Sequence, residues 1–277
     1  MDKSFKFKQF SVANERSAMK VGTDGVLLGA WVRLLGTERH ILDVGTGTGV
    51  IALMLAQRTA ETEASFAGAG DVSRSEPFSA REAKQQSTGE RSSVTIIGID
   101  IDGASAEEAA ANFKASPWAG RMAAFPGDFR GLGGDPSHPL AFLAIGYDLV
   151  VSNPPFFLDS LKAPDPRRSD ARHADSLRYR DLVVGADRNL APDGRLALIL
   201  PADNADGFVA EAESFGLHLC RRCRVSTVAG HAPSRALLEL SRTPVTPFLE
   251  DTTLAIQDPS GFTTEYRALT GEFYLNF

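Results

Sequence analysis

The chain has 277 residues, 43% hydrophobic and 23% charged, a balance that fits a globular α/β domain and argues against disorder. Its net charge of −6 excludes a uniformly basic surface, so a nucleic-acid partner would have to meet local basic clusters. No apolar run reaches membrane-spanning length, no signal-peptide pattern follows Met1-Asp2-Lys3, and the pair Cys220 and Cys223 lacks two further zinc ligands. A cytoplasmic protein with no membrane partner, no metal and two structural cysteines is expected.

Phe5, Lys6, Phe7 and Lys8 alternate aromatic and basic, which predicts a short strand or hairpin with its rings on one face. Those rings either cover an apolar edge or stack on RNA. The turn Met19 to Gly25 leads into an apolar helix over Val26 to Leu35, with Thr23 or Asp24 placed to cap it. Ile41 to Val44 reads as a buried strand, followed by Gly45-Thr46-Gly47-Thr48-Gly49 and a helix from Val50 to Arg58. Strand, glycine-rich turn and helix form the nucleotide-binding opening of a doubly wound sheet. A dinucleotide fingerprint would put its third glycine at position 50, which is Val50; the spacing fits an S-adenosylmethionine loop instead.

Residues 59–93 are rich in Ala, Ser, Glu and Gly without sustained periodicity and read as a flexible insertion. Strand and helix run out and back, so the insertion belongs at the amino end of the sheet, away from the ligand-binding carboxyl ends. Val94 to Ile99 is the second strand; Asp100 ends it, placed to accept from ribose hydroxyls, while Asp102 or Ser105 caps the helix Ala104 to Ala115. Met122 to Phe125 is a third strand. Asp128 beyond it either accepts from an adenine amino group, with Phe129 against the ring, or simply makes a turn.

Tyr147 to Phe157 carries the most specific chemistry. The strand Leu149 to Val151 is stopped by Pro154 and Pro155, which offer no backbone N–H, leaving Asn153 at its carboxyl end with Phe156 and Phe157 beyond. The lone pair of a nucleobase amine is delocalised into its ring. Acceptors on both its N–H bonds, the Asn153 side-chain oxygen and the Pro154 carbonyl, would localise that pair on nitrogen. Phe156 would stack on the base, worth about 1–3 kcal/mol against the few kcal/mol of extruding it. A rigid turn with both rings in the core explains the same residues without chemistry.

Lys162, Arg167, Arg168, Arg172, His173, Arg178 and Arg180 follow, interleaved with acids, as a solvated mixed-charge loop or a phosphate-gripping flap. A helix over Tyr179 to Leu190, a strand over Arg195 to Leu200, a helix over Phe208 to Phe215, strands at Val225 to Val228 and Ala236 to Leu240, and a short helix over Tyr266 to Leu275 complete the chain. This alternation predicts a Rossmann-like doubly wound α/β fold: a mostly parallel seven-stranded sheet with a terminal antiparallel hairpin strand, in one domain over 1–277 with an N-terminal extension over 1–36.

With these residues in place the chain resembles the bacterial tRNA(Val) adenine-N6 methyltransferases. The likeness rests on Phe5 to Phe10, Met19 to Trp31, Asp43 to Gly49, Asn153 to Phe157, Ala171-Arg172-His173, Glu265-Tyr266-Arg267 and Phe273-Tyr274-Leu275. It implies methylation of adenine 37 of tRNA(Val) from S-adenosylmethionine. It implies cofactor contacts at Lys20, Thr23, Asp43, Gly45, Gly47, Gly49, Asp100, Asp128 and Phe129, a base pocket of Asn153, Pro154, Pro155 and Phe156, and substrate contacts at Arg168, Arg172 and His173. Two departures stand out: the insertion, and Asp100 where glutamate is commoner. Other enzymes with the Asn-Pro-Pro motif, acting on ribosomal guanine, DNA adenine or protein glutamine, share the core; a nicotinamide dehydrogenase and a non-catalytic RNA-binding protein are the remaining alternatives.

Overall fold

The structure, a computed structural model, describes residues 4–17, 19–68, 94–154, 178–244 and 250–277. Two strands, β1 (Phe5–Lys6) and β2 (Ser11–Val12), form a small hairpin. The main sheet joins β3 (His40–Val44), β4 (Thr95–Asp100), β5 (Met122–Pro126), β6 (Tyr147–Ser152), β7 (Leu190–Pro201), β8 (His218–Val228), β9 (Arg235–Ser241), β10 (Glu250–Asp258) and β11 (Gly261–Phe262). Their order is β11-β10-β8-β9-β7-β6-β3-β4-β5.

The five strands from β5 to β7 pair in parallel. Buried strands such as Ile41-Leu42 and Leu149-Val150-Val151 make this block, because helices cover both of its faces. α1 (Thr23–Trp31), α2 (Val50–Gly68) and α3 (Gly103–Ala115) enclose one apolar layer, with Leu27, Leu53 and Phe113 inside. α4 (Tyr179–Asn189) and α5 (Ala205–Glu213) enclose the other, around Leu182, Val183 and Phe208. Each such side chain contributes about 1.5–3 kcal/mol by leaving water. α6 (Thr264–Thr270) is capped by Thr263, whose hydroxyl accepts from the Tyr266 amide at 3.1 Å.

The doubly wound fold is as expected, with two corrections to the sheet. Among the described residues it has nine strands, because the largely polar segment Glu250–Asp258 adds β10 parallel to β8 and β11 folds back on it. The antiparallel strand β9 lies inside the sheet, between β7 and β8, where the sequence reading placed it at the end. Helix bounds also move. α1 ends at Trp31 rather than Leu35, because the Glu38 carboxylate takes the Leu35 and Gly36 amides at 2.8 and 2.9 Å and turns the chain. α2 continues to Gly68, so residues 59–68 are helical: Ala60, Glu61 and Ala64 are good helix formers. The rest of the expected insertion, 69–93, lies outside the described residues.

The N-terminal rings do cover an apolar edge. Phe7 stacks on Phe10 at 4.6 Å and on Tyr274 at 6.0 Å, and Phe10 meets the edge of Trp118. Cys220 and Cys223 sit on β8 as free thiols. Among the described residues no helix is long and apolar enough to cross a membrane.

Candidate active site

Parallel strands release the chain at one edge, and β4 and β6 lie on opposite sides of β3, which opens a crevice there. Two adjoining cavities of about 230 and 340 Å³ occupy that edge and share Met19, Gly45, Gly47 and Asn153. The smaller is bounded by Asp100, Ile101, Gly127, Asp128 and Pro154, the larger by Lys20, Thr23, Thr46 and Thr48.

Gly45 and Gly47 shape the loop. Both are left-handed, at φ 68° and 55°, and nothing lies within 4 Å of where a Gly45 Cβ would stand, so the backbone is open to a ligand. Asp100 at the end of β4 accepts the Gly47 amide at 2.8 Å and the Asp102 amide at 2.9 Å. Burial pushes its carboxyl above the usual range despite these two bonds. The two amides hold the carboxylate still in the cavity wall. Capping of α3 falls to Asp102, which accepts from Ala104 and Ser105.

Asp128 also lines the cavity, but Arg130 engages both of its oxygens, Nε donating to Oδ1 at 2.9 Å and Nη2 to Oδ2 at 2.6 Å. Burial would raise its pKa, and the Arg130 bonds outweigh it and hold the carboxyl below the usual range. Lys20 donates to the Glu15 carbonyl at 2.9 Å. Thr23 opens α1 without capping it, Gly22 being the N-cap, and Asp24 accepts from Arg235 at 2.9 Å.

Three expected cofactor contacts are placed differently. Asp43 is fully buried under the loop and lines neither cavity; its Oδ2 accepts the Thr46 hydroxyl at 2.7 Å. Desolvation pushes its pKa up to about 7, against the opposing Thr46 bond. Its role is to hold the loop from beneath. Gly49 also lines neither cavity: at φ 81°, an added Cβ would stand 2.4 Å from the Phe113 ring, so the glycine serves helix packing. Phe129 borders the smaller cavity, yet it is 4% exposed and its ring lies against Gly185 in the core, so it offers little face to an adenine.

Asn153 stands where both cavities meet, at the end of β6. Its Nδ2 points to the Met19 sulfur at 3.6 Å, while its Oδ1 is buried with no hydrogen-bond partner among the described residues. An orphaned buried carbonyl oxygen costs on the order of 1–3 kcal/mol, and a ligand N–H is what would relieve it. Pro154 is buried beside it and lines the smaller cavity. Pro155, Phe156, Arg168, Arg172 and His173 lie outside the described residues.

Curated relatives resemble the chain over nearly its whole length. It is 39% identical over 276 residues to the tRNA1(Val) (adenine(37)-N6)-methyltransferase of Bacteroides fragilis, covering 98% of this chain and 97% of that one. The proteins of the same name from Tolumonas auensis and Edwardsiella ictaluri are 39% and 35% identical, with 97% and 94% of their lengths covered. This chain belongs to the tRNA1(Val) (adenine(37)-N6)-methyltransferase family. No protein-family model matches it. Among solved structures, a predicted O-methyltransferase from Agrobacterium tumefaciens shares the fold, with a TM-score of 0.59 at 15% identity over 90% of this chain and 96% of that one.

For a member of this methyltransferase family, the sequence reading missed a group of residues that act from a distance. Glu108 accepts the amides of Glu15, Arg16 and Ser17, each at 2.8 Å, and Asn112 bonds both the N–H and the C=O of Ala13. These bonds lay residues 13–17 along α3 and bring Met19 over the glycine loop. One signal was available: Ser105, Glu108 and Asn112 share the helical face of buried Ala109, and a polar stripe on a buried face demands partners.

Proposed function

We propose that this chain methylates N6 of adenine 37 in tRNA1(Val), with S-adenosylmethionine as the donor and the cytoplasm as its location. The observation that carries this reading is Asn153 Oδ1: a buried acceptor without a partner among the described residues, at the junction of two cavities. The family of the relatives supplies the substrate.

The residues present fit such a cofactor. Gly45 leaves open the space a side chain would fill, and Asp100 and Asp128 place acceptors around a largely apolar cavity, a donor set suited to a nucleoside. In this reading Gly45, Gly47, Asp100 and Asp128 hold the nucleoside part, and Lys20 and Thr23 the amino-acid part. When bound, the cofactor supplies an electrophilic methyl group on a sulfonium.

The chain's own contribution is positioning and electrostatics. Asn153 Oδ1 and the Pro154 carbonyl accept the two N–H bonds of the target amine, localising its lone pair. Pro154 and Pro155 stiffen the corner so that both acceptors keep their directions. Phe156 stacks on the extruded base, and Arg168, Arg172 and His173 grip the RNA backbone. The amine loses its proton to solvent, so no side-chain base is required. Residues 1–277 act as one domain with an N-terminal extension over 1–36. Residues 69–93, the remainder of the expected 59–93 insertion, are dispensable for the reaction.

Incubation with methyl-labelled S-adenosylmethionine and unmodified tRNA1(Val), followed by nucleoside mass spectrometry, tests the reading. One N6-methyladenosine per tRNA is expected, and none when position 37 carries guanosine. Label in ribosomal RNA, DNA or protein instead, or tRNA binding without transfer, would overturn it.

A further inference from the structure

A carboxamide can sit in two orientations that exchange its oxygen and nitrogen, and only its hydrogen-bond partners separate them. For Asn153 the choice decides whether an acceptor or a donor meets an incoming amine. Nδ2 faces the Met19 sulfur at 3.6 Å, a weak but polarisable acceptor, and Oδ1 is left without a partner among the described residues. Turning the amide over would set the oxygen against the electron-rich sulfur and aim two N–H groups at the base.

Met19 is 42% exposed and borders both cavities. It is held there by a sequence of contacts. Glu108 takes the three consecutive amides from Glu15 to Ser17, and Ser17 Oγ donates to the Met19 carbonyl at 3.0 Å. Ser105 Oγ donates to Ser17 Oγ at 3.2 Å, and Asn112 joins Ala13 to the Thr48 carbonyl of the glycine loop. Burial works against the Glu108 charge, but the three amides outweigh it and hold the carboxyl below its usual range. Residues 13–17 are thus fastened to α3, and α3 to the glycine loop, before Met19 presents its thioether.

We propose that Met19 is a positioning residue, whose sulfur fixes the Asn153 carboxamide with its oxygen toward the target amine. This rests on the methyl-transfer reading given above and assigns that site a residue remote in sequence. Met19→Leu keeps the volume and removes the acceptor; Met19→Gln restores an acceptor of similar reach. Steady-state kinetics with unmodified tRNA1(Val), calorimetric titration with S-adenosylmethionine and a thermal melt are measured for each. For Met19→Leu the expected result is a five- to twentyfold lower kcat, with KM for tRNA, cofactor Kd and melting temperature near wild type. Met19→Gln should recover kcat to within about threefold. An unchanged kcat in Met19→Leu overturns the proposal, as does a loss confined to cofactor Kd or to tRNA KM, or one that Met19→Gln does not relieve. Failure of the wild-type protein to methylate tRNA would instead remove the underlying reading, so the two failures are distinguishable.

Discussion

At the amino edge of the sheet, the Arg195 guanidinium lies between Glu38 and Glu239, and Glu239 also accepts from Arg221 at 3.0 Å. Arg221 continues to Glu250 and stacks 4.3 Å above Trp31, and Glu250 also pairs with Arg33. At the carboxyl edge, burial pushes the Asp43 carboxyl up to about 7 and the Asp100 carboxyl above the ordinary range, and Asn153 Oδ1 has no partner among the described residues. One sheet thus carries a network of ion pairs at one edge and, at the other, a cavity wall with an acceptor left without a partner among the described residues. The first fastens α1, β7, β8, β9 and β10 together. The second leaves Asn153 Oδ1 without a partner among those residues and two carboxyls desolvated, at a cost in stability that the core must offset.

That contrast breaks if mutations at the two edges act alike. The largest effect is expected from Glu239→Ala, which takes one buried carboxylate from both Arg195 and Arg221 and leaves them the carboxylates of Glu38 and Glu250: about 3–5 kcal/mol of stability should be lost in denaturant titration, with kcat of the folded fraction near wild type. Asn153→Ala should do the reverse, lowering kcat by about 10²–10³-fold with unfolding midpoint and cofactor Kd little changed. A variant at near-full rate would remove the acceptor role.

Asp43 sharpens the comparison through pH. Its folded pKa, about 7, lies above the ordinary value of 3.8, so the folded state holds the proton more tightly. Stability from this group is full below pH 4 and falls as pH rises toward 7, by about 2–4 kcal/mol. Asp43→Asn should therefore gain on wild type progressively across that window in urea titrations. A constant difference would mean that Asp43 keeps an ordinary pKa. The smallest effect is expected at Asp100→Ala, with cofactor Kd rising roughly tenfold, or about 1.4 kcal/mol, and kcat at saturation altered less.

Much of the carboxyl edge was legible because its signals are local. A glycine loop after a strand, an acid at the end of the next and a proline pair after Asn153 each declare themselves within a few residues. Gly49 was misread because a glycine answers two demands alike, ligand approach and close packing, and Phe113, which decides the matter, is 64 positions away. The role of Met19 was invisible for the same reason, and Glu108 showed only as part of a polar helix face: their partners lie 134 and about 90 residues distant. The ion-pair network was not read at all, since Glu38, Arg195, Arg221 and Glu239 look like surface charges until the strands bring them together. β10 escaped because Thr252, Thr253 and Gln257 dilute its apolar pattern.

Gly98 on β4 pairs with Asp43, and a Cβ there would stand 2.8 Å from the Thr46 hydroxyl that Asp43 holds. Two strands and a loop therefore divide one small volume among them. Selection for a larger residue at 98 should be answered by a smaller one at 46, so substitutions at these two positions should be found together in randomised libraries.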